Sequence, residues 1–284
     1  MLSKVILSAD TTCDLGEVLK EKYSISYYPL HVILGDKQFQ DGVDITPDKI
    51  YETYNEKRIL PKTAAVNPDE YYKYFKKWTD EGYEVIHVNL GSGISSSYQN
   101  SCIAAEELKN VYTIDSQNLS TGTGLLVLEA ADRIAQGMPA AQIQEEINTL
   151  RTKVHASFVL DSLTFLAAGG RCSALTAFGA NILNIKPCIE VDNTSGRMGV
   201  GKKYRGSLDK VLKHYTEDKL KDRTDLKLDR VFITHSGISD ERIELVKNTI
   251  KELADFKEIL VTRAGCTISS HCGPNTLGVL FMTK

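Results

Sequence analysis

No stretch of the chain approaches the roughly 18–20 consecutive apolar residues that a membrane-spanning helix requires, so no transmembrane segment is expected. The opening MLSKVILSADTTCD holds a short apolar run but meets Asp10 and Asp14 too early for a signal peptide, and the expected location is the cytoplasm. Cysteine is sparse: six residues, at 13, 102, 172, 188, 266 and 272, none in a C-x-x-C pair and none with histidine at zinc-finger spacing. The closest pair, Cys266 and Cys272, flanks Thr-Ile-Ser-Ser-His, which resembles no common metal site. Reduced thiols serving as small apolar side chains are expected, with no metal and no cofactor. Positive charge is not in excess either; the net charge of −3 gives no reason to expect nucleic acid or an anionic membrane as partner. Internal repeats, low-complexity tracts and long linkers are all missing.

What is present is the composition of a globular chain with a real core: 284 residues, 42% hydrophobic and 25% charged. The first half alternates. KVILSA, SISYYPLHVIL, YEVIHVNL and NVYTID read as strands. Helical segments separate them, and TPDKIYETYNE and NPDEYYKYFKKWTDEG each open on a capping residue followed by proline. GTGLLVLEAADRIAQG and PAAQIQEEINTLRTKV read as two further helices. Strands alternating with helices predict a parallel sheet covered on both faces. Beyond about residue 154 the pattern becomes mixed. A hairpin is predicted with its turn at DNTSG, and the closing GPNTLGVLFMTK reads as an antiparallel last strand. Two closely packed α/β domains are expected, residues 1–154 and 155–284.

Ligands in open α/β sheets sit outside the carboxyl ends of the parallel strands. Three such ends, SADTTCD, NLGSGISSS and TIDSQNLSTG, deliver clusters of hydroxyl and acidic residues, and PKTAAVNP adds Thr63. Turn chemistry and capping use the same residues, and for Asp10, Thr11, Thr12 and Asp115 that reading is as good as a functional one. NLGSGISSSYQN is more informative. Gly91 and Gly93 would let backbone approach a ligand, Ser95 is placed to cap a helix, and the helix start offers N–H groups to an anion. The G-x-x-x-x-G-K-[ST] loop is absent, as is G-x-G-x-x-G, because Ser96 stands at the third glycine position. A single carboxylate suits neutral hydroxyls and bare amides better than a triphosphate, although plain helix capping accounts for the residues equally well. In the second half AAGGRCSA presents Arg171, SSHCGPNTLG places His271 before a Gly-Pro turn, and GKKYRG contributes Lys202, Lys203 and Arg205.

Taken in order, these segments resemble the DegV family, whose members bind fatty acids. The resemblance covers essentially the whole chain. It rests on Asp10-Thr-Thr-Cys-Asp14, Thr63 before Asn67-Pro68, Ser92 to Gln99, Ile114-Asp115-Ser116, Phe165-Leu166 to Arg171, Asn184-Ile185-Lys186-Pro187, and Ser270-His271-Cys272-Gly273-Pro274. It implies a two-domain α/β fold with a long-chain fatty acid in a tunnel between the domains. It also implies the role of lipid-binding subunit beside a separate fatty-acid kinase catalytic subunit, which phosphorylates the presented carboxylate to an acyl phosphate for phospholipid synthesis. Thr63 and Ser95 would donate to the carboxylate, the Ser96 N–H would add a third donor, and His271 would reach it from the second domain. Arg171 would line the mouth, and Lys202, Lys203 and Arg205 would help dock the kinase or position phosphate. Hydrogen bonds and one weak cation leave the carboxylate easier to hand over than a bidentate arginine clamp would. The acyl chain supplies affinity at about 0.8 kcal/mol per methylene. TAFGANILNI, FVLDSLTFLAA and LLVLEAA are candidates for the tunnel wall, although ordinary core explains them equally well.

Four positions depart from the family pattern. Thr63 is followed by Ala64 and Ala65 rather than Ser-Gln, Ser96 replaces a glycine, and Asn275 replaces a glycine after Pro274. The reading is that of a monomeric, non-catalytic binding protein. The alternatives are a serine hydrolase or acyltransferase using Ser95 or Ser92 with His271, and a nucleotide-binding protein. The first lacks a G-x-S-x-G elbow and an evident acid beside His271, and the second lacks the lysine.

Overall fold

The computed structural model describes residues 4–173 and 185–284. Strands β1 (Val5–Asp10), β2 (Ser26–Tyr28), β6 (Glu84–Asn89) and β7 (Val111–Asp115) form a parallel sheet in the order β2-β1-β6-β7. β1 and β6 are apolar runs buried along most of their length, as strands covered on both faces require. From β1 the chain steps to β2 on one side and to β6 and β7 on the other. The reversal opens a crevice outside the carboxyl ends of β1 and β6.

Helices α1 (Gly16–Lys22), α3 (Pro68–Thr79), α4 (Ser97–Glu106) and α6 (Ala140–Leu150) belong to this part of the chain. α3 starts where the sequence indicates: Asn67 Oδ1 accepts from the Glu70 N–H at 2.9 Å, Glu70 returns a carboxylate to the Asn67 N–H at 2.9 Å, and Pro68 fills the first helical position.

The segment SISYYPLHVIL is not one strand. Pro29 has no N–H to continue a ladder, and β2 ends before it, while β3 (His31–Leu34) leaves for a second sheet. There β3 pairs antiparallel with β4 (Lys37–Gln40) and β5 (Lys62–Ala64), and α2 (Pro47–Lys57) lies between β4 and β5 in the chain. This small sheet carries no strong sequence signal, since β4 is Lys-Gln-Phe-Gln and β5 is three residues long.

Strands β8 (Val154–Val159), β9 (Ile185–Val191), β10 (Met198–Arg205), β11 (Leu226–His235), β12 (Glu258–Arg263) and β13 (Leu277–Thr283) form a mixed sheet in the order β10-β9-β8-β13-β11-β12. β13 is antiparallel to both neighbours, and the β9–β10 hairpin turns over Asp192–Gly196, both as the sequence predicts. α8 (Leu208–Leu220) and α9 (Asp240–Leu253) pack together, while α7 (Thr164–Gly169) packs with α10 (Cys266–Cys272). α10 also touches α2, β3 and β5, and so meets the small sheet.

Between the two large sheets runs α5 (Ser120–Ala135), buried at every position from Ser120 to Ala131. It touches β1 and β6 on one side and β8, β11 and β13 on the other. The stretch Leu125–Ala131, a candidate tunnel wall in the sequence, is therefore core shared by both sheets. Most of the other candidate wall, residues 176–185, lies outside the described residues.

Candidate functional site

A cavity of about 370 Å³ opens at the carboxyl end of the parallel sheet, where the topology places it. Its apolar wall comes from both halves of the chain: Leu30 ahead of β3, Leu90 just after β6 and Leu119 at the start of α5, then Phe158 on β8, Met198 on β10 and Ile268 on α10. Phe158 and Leu166 are the parts of FVLDSLTFLAA that reach it. A chamber of about 20 Å³ continues beyond Leu119, Phe158, Ile268 and Cys272, which border both spaces. The polar lining is short: Thr63, Ser95, Ser96, Arg171, Thr267 and His271. All four residues expected at a carboxylate, and Arg171 from the expected mouth, therefore line one cavity. Ala64 and Ala65 line it too, leaving methyl groups beside Thr63.

Thr63 sits on β5, paired with Val32 of β3, and His271 lies in the last turn of α10. Thr63 Oγ1 and His271 Nε2 are 2.8 Å apart, within hydrogen-bonding distance. His271 Nδ1 has no partner and faces Gly169, where a Cβ would stand only 2.1 Å away. A proton on both ring nitrogens would orphan one N–H against that backbone. Burial pushes the imidazole down to about 4, and the charge of Arg171 adds to the shift. Both effects favour the neutral imidazole over the weak cation expected there from the sequence. Arg171 is the cationic side chain of the cavity wall among the described residues, and its guanidinium also donates to the Gly169 carbonyl at 2.6 Å.

Ser95 precedes α4 rather than capping it directly. The N-cap is Ser96, which makes no side-chain cap bond, while Ser95 Oγ accepts from the Ser97 N–H at 3.1 Å and lies 3.0 Å from Ser97 Oγ. The Ser96 N–H has no acceptor among the described residues. The glycines of this loop serve protein packing rather than ligand approach. A Cβ on Gly91 would lie 2.7 Å from the Asn118 nitrogen, and one on Gly93 would lie 2.4 Å from the Ser195 carbonyl in the β9–β10 turn. Side chains there would push the loop off both neighbours.

The acidic residues at the strand ends are structural. Asp10 is fully buried and accepts from Tyr71 Oη at 2.6 Å and from the Leu90 N–H at 2.8 Å, tying the end of β1 to that of β6. Asp115 accepts from the Ser92 N–H at 3.0 Å and from Ser92 Oγ at 2.6 Å. The hydrolase alternative gains no geometry: Ser92 is bound to Asp115, Ser95 to Ser97, and the partner of His271 is Thr63. No carboxylate among the described residues orients the imidazole.

Lys202, Lys203 and Arg205 lie on β10, the edge strand of the mixed sheet, and do not line the cavity. Lys202 is paired with Asp218 at 2.6 Å. None of the six cysteines is bonded to another, and no cluster of three metal-ligating side chains occurs among the described residues. No helix of the described residues is long and apolar enough to cross a membrane. Sequence reasoning missed Leu30, Leu90, Leu119 and Met198 as cavity residues, since isolated apolar side chains next to turns carry no periodic signal. It also placed His271 before a Gly-Pro turn without assigning it a helix, because α10 spans only seven residues.

The DegV family model, described as an uncharacterised protein family, matches residues 4–284. A DegV domain-containing protein of Clostridium acetobutylicum is 32% identical over 285 residues, and one of Clostridium perfringens is 30% identical over 287; both alignments cover 100% of each chain. Among solved structures, a DegV family protein of Thermus thermophilus, described for its fatty acid binding, superposes with a TM-score of 0.86 at 26% identity, covering 99% of this chain and 100% of that one. A fatty acid binding DegV family protein of Streptococcus agalactiae gives 0.87 at 26% identity, covering 99% of each chain. In sequence along its whole length and in fold, this chain belongs to the DegV family.

Proposed function

We propose that the protein binds a long-chain fatty acid in the cavity between its two large sheets and presents the carboxylate to a separate kinase subunit for phosphorylation to an acyl phosphate. In this reading residues 1–154 and 155–284 are two lobes closed on the ligand. One observation carries the proposal: an apolar cavity joining both sheets ends in a neutral hydrogen-bonding pair, Thr63 and His271, with the Ser95 hydroxyl and the unpartnered Ser96 N–H on the same wall. Fatty acid binding by the relatives of Thermus thermophilus and Streptococcus agalactiae supports it. The volume of about 370 Å³ falls within the range of small-molecule sites, about 300–1,000 Å³.

Affinity comes from the tail. About 14 buried methylenes contribute roughly 11 kcal/mol before ordering costs. The head group is held by Thr63 Oγ1, Ser95 Oγ and the Ser96 N–H, with His271 Nε2 bound to Thr63 Oγ1 and orienting its hydroxyl. Neutral donors leave a carboxylate oxygen nucleophilic enough to take a phosphoryl group, whereas a salt-bridged one would be bound more tightly and donate less readily. Arg171 at the rim neutralises charge as the phosphate arrives. Lys202, Lys203 and Arg205 on the edge strand form the docking face for the kinase. The protein acts in the cytoplasm, as a monomer, and carries no chemistry of its own.

Denaturing extraction of the purified protein, followed by mass spectrometry, tests the binding step. The expected result is one fatty acid per chain. Empty protein that also fails to take up added oleate would overturn the reading.

A further inference from the structure

We infer that Asp41, with Asp14 beside it, is a positioning residue for the head-group end of the cavity: it caps α10 from the small sheet and so fixes where His271 meets Thr63. The inference deepens the fatty-acid reading above and rests on it for its functional consequence.

The N-cap of α10 is Gly265, which has no side chain with which to cap a helix. Its leading amides are satisfied from far away in the chain. The Gly265 N–H donates to Asp14 Oδ1 at 2.8 Å, the Cys266 N–H to Asp41 Oδ1 at 2.7 Å, and the Thr267 N–H to Asp41 Oδ2 at 2.9 Å. Both carboxylates are buried, with 4% of Asp14 and 1% of Asp41 exposed. A Cβ on Gly265 would lie 3.2 Å from an oxygen of each aspartate, close enough that the carboxylates would have to shift by a few tenths of an ångström. A seven-residue helix is too short to persist alone, so its orientation is set by what holds its ends.

Both ends are held by the same small sheet. Asp41 follows β4, and its N–H donates to the Leu30 carbonyl at 2.9 Å, just ahead of β3. Thr63 is on β5, the other neighbour of β3. Asp41 thus grips the start of α10 while Thr63 meets His271 in its last turn. Asp14 is itself held under backbone strain. Asp14 and Ser120 both have a φ of 51°, in the left-handed region, and Ser120 Oγ donates to Asp14 Oδ2 at 2.6 Å. Burial pushes the Asp14 carboxyl up to about 8, so near neutrality Asp14 holds a proton rather than placing a negative charge beside Asp41.

The test compares Asp41→Asn with Val246→Ala, a change in the buried face of α9 remote from the cavity. Asparagine keeps the shape but turns one acceptor into a donor facing an N–H. Co-purified fatty acid should fall about tenfold in Asp41→Asn. The His271 ring, followed by NMR, should titrate closer to its ordinary value of 6.5 in Asp41→Asn than in the wild type, where burial holds it down. Val246→Ala, chosen to lower the melting temperature comparably, should change neither. Wild-type fatty acid content in Asp41→Asn overturns the inference. So does loss of fatty acid with the His271 titration unmoved. If Asp41→Asn does not fold, wild-type protein supplies the reading by reciprocity: loading with oleate should slow amide exchange at Cys266 and Thr267 about tenfold over delipidated protein, and equal rates overturn the inference. Wild-type protein that binds no fatty acid defeats the functional reading instead, and the His271 titration alone then decides the role of Asp41.

Discussion

Thr63 and His271, 208 positions apart in the chain, meet at 2.8 Å between Oγ1 and Nε2 and join the small sheet to α10 at the polar end of the cavity. With Nδ1 unpartnered against Gly169, the single ring proton is best placed on Nε2, where it donates to Thr63 Oγ1 and frees the threonine hydrogen for a ligand. The pair is a two-part donor assembled from distant segments.

Thr63→Val keeps the β-branched shape and removes the hydroxyl. A hydrogen bond of about 1 kcal/mol net corresponds to roughly a fivefold loss of fatty-acid affinity. Thr63→Ser should stay near wild type, and fluorescence competition with a labelled acid measures both. Gly169→Ala should do as much damage without touching the ligand, because its Cβ would displace His271 Nδ1 from 2.1 Å.

Chain length should respond at Ile268, which borders both the cavity and the chamber beyond it. Ile268→Trp fills the passage with a larger ring, and such overpacking costs about 1–3 kcal/mol. Long-chain acids should be lost from the co-purified pool while acids of about eight carbons still bind. An unchanged chain-length distribution in extracted lipid would contradict the proposed path of the tail.

The buried acid of Asp14 gives stability a definite pH dependence. Its carboxyl moves from 3.8 to about 8 on folding, so the folded state retains a proton that the unfolded chain releases. That contribution is fully present below about pH 4 and is lost as pH rises through about 8. Facing Asp14 are Asp41, Ser120 and the Gly265 N–H. The nearby Cys13 and Cys272 thiols are pushed up to about 12, and Cys266 and the Tyr27 phenol are raised as well, so these groups stay uncharged. Calorimetry should show the Asp14 contribution as a melting temperature falling between about pH 4 and 8, with the slope reduced in Asp14→Asn. His271 acts in the opposite direction: lowered from 6.5 to about 4, it costs stability as pH falls through that interval.

Charge on β10 should matter to the kinase and not to the lipid. Reversing Lys202, Lys203 and Arg205 to glutamate leaves the cavity untouched, since none of them lines it. Acyl-phosphate formation with the kinase subunit should fall at least about tenfold, with a salt-sensitive association rate. Fatty acid content should stay at the wild-type level.

The sequence by itself determined the α/β alternation, the parallel sheet, the β9–β10 hairpin and the antiparallel last strand, because buried runs and turn residues are local signals. Its resemblance to the DegV family also named Thr63, Ser95, Ser96, Arg171 and His271, which line the cavity, but not Thr267. What only the tertiary structure decided were the relationships between distant segments. Burial against Gly169 made His271 neutral, packing turned Gly91 and Gly93 into contact points with Asn118 and Ser195, and two large sheets claimed α5 as shared core. The capping of α10 by Asp41 spans 225 residues, and no local pattern can encode a bond whose partner is chosen by the fold.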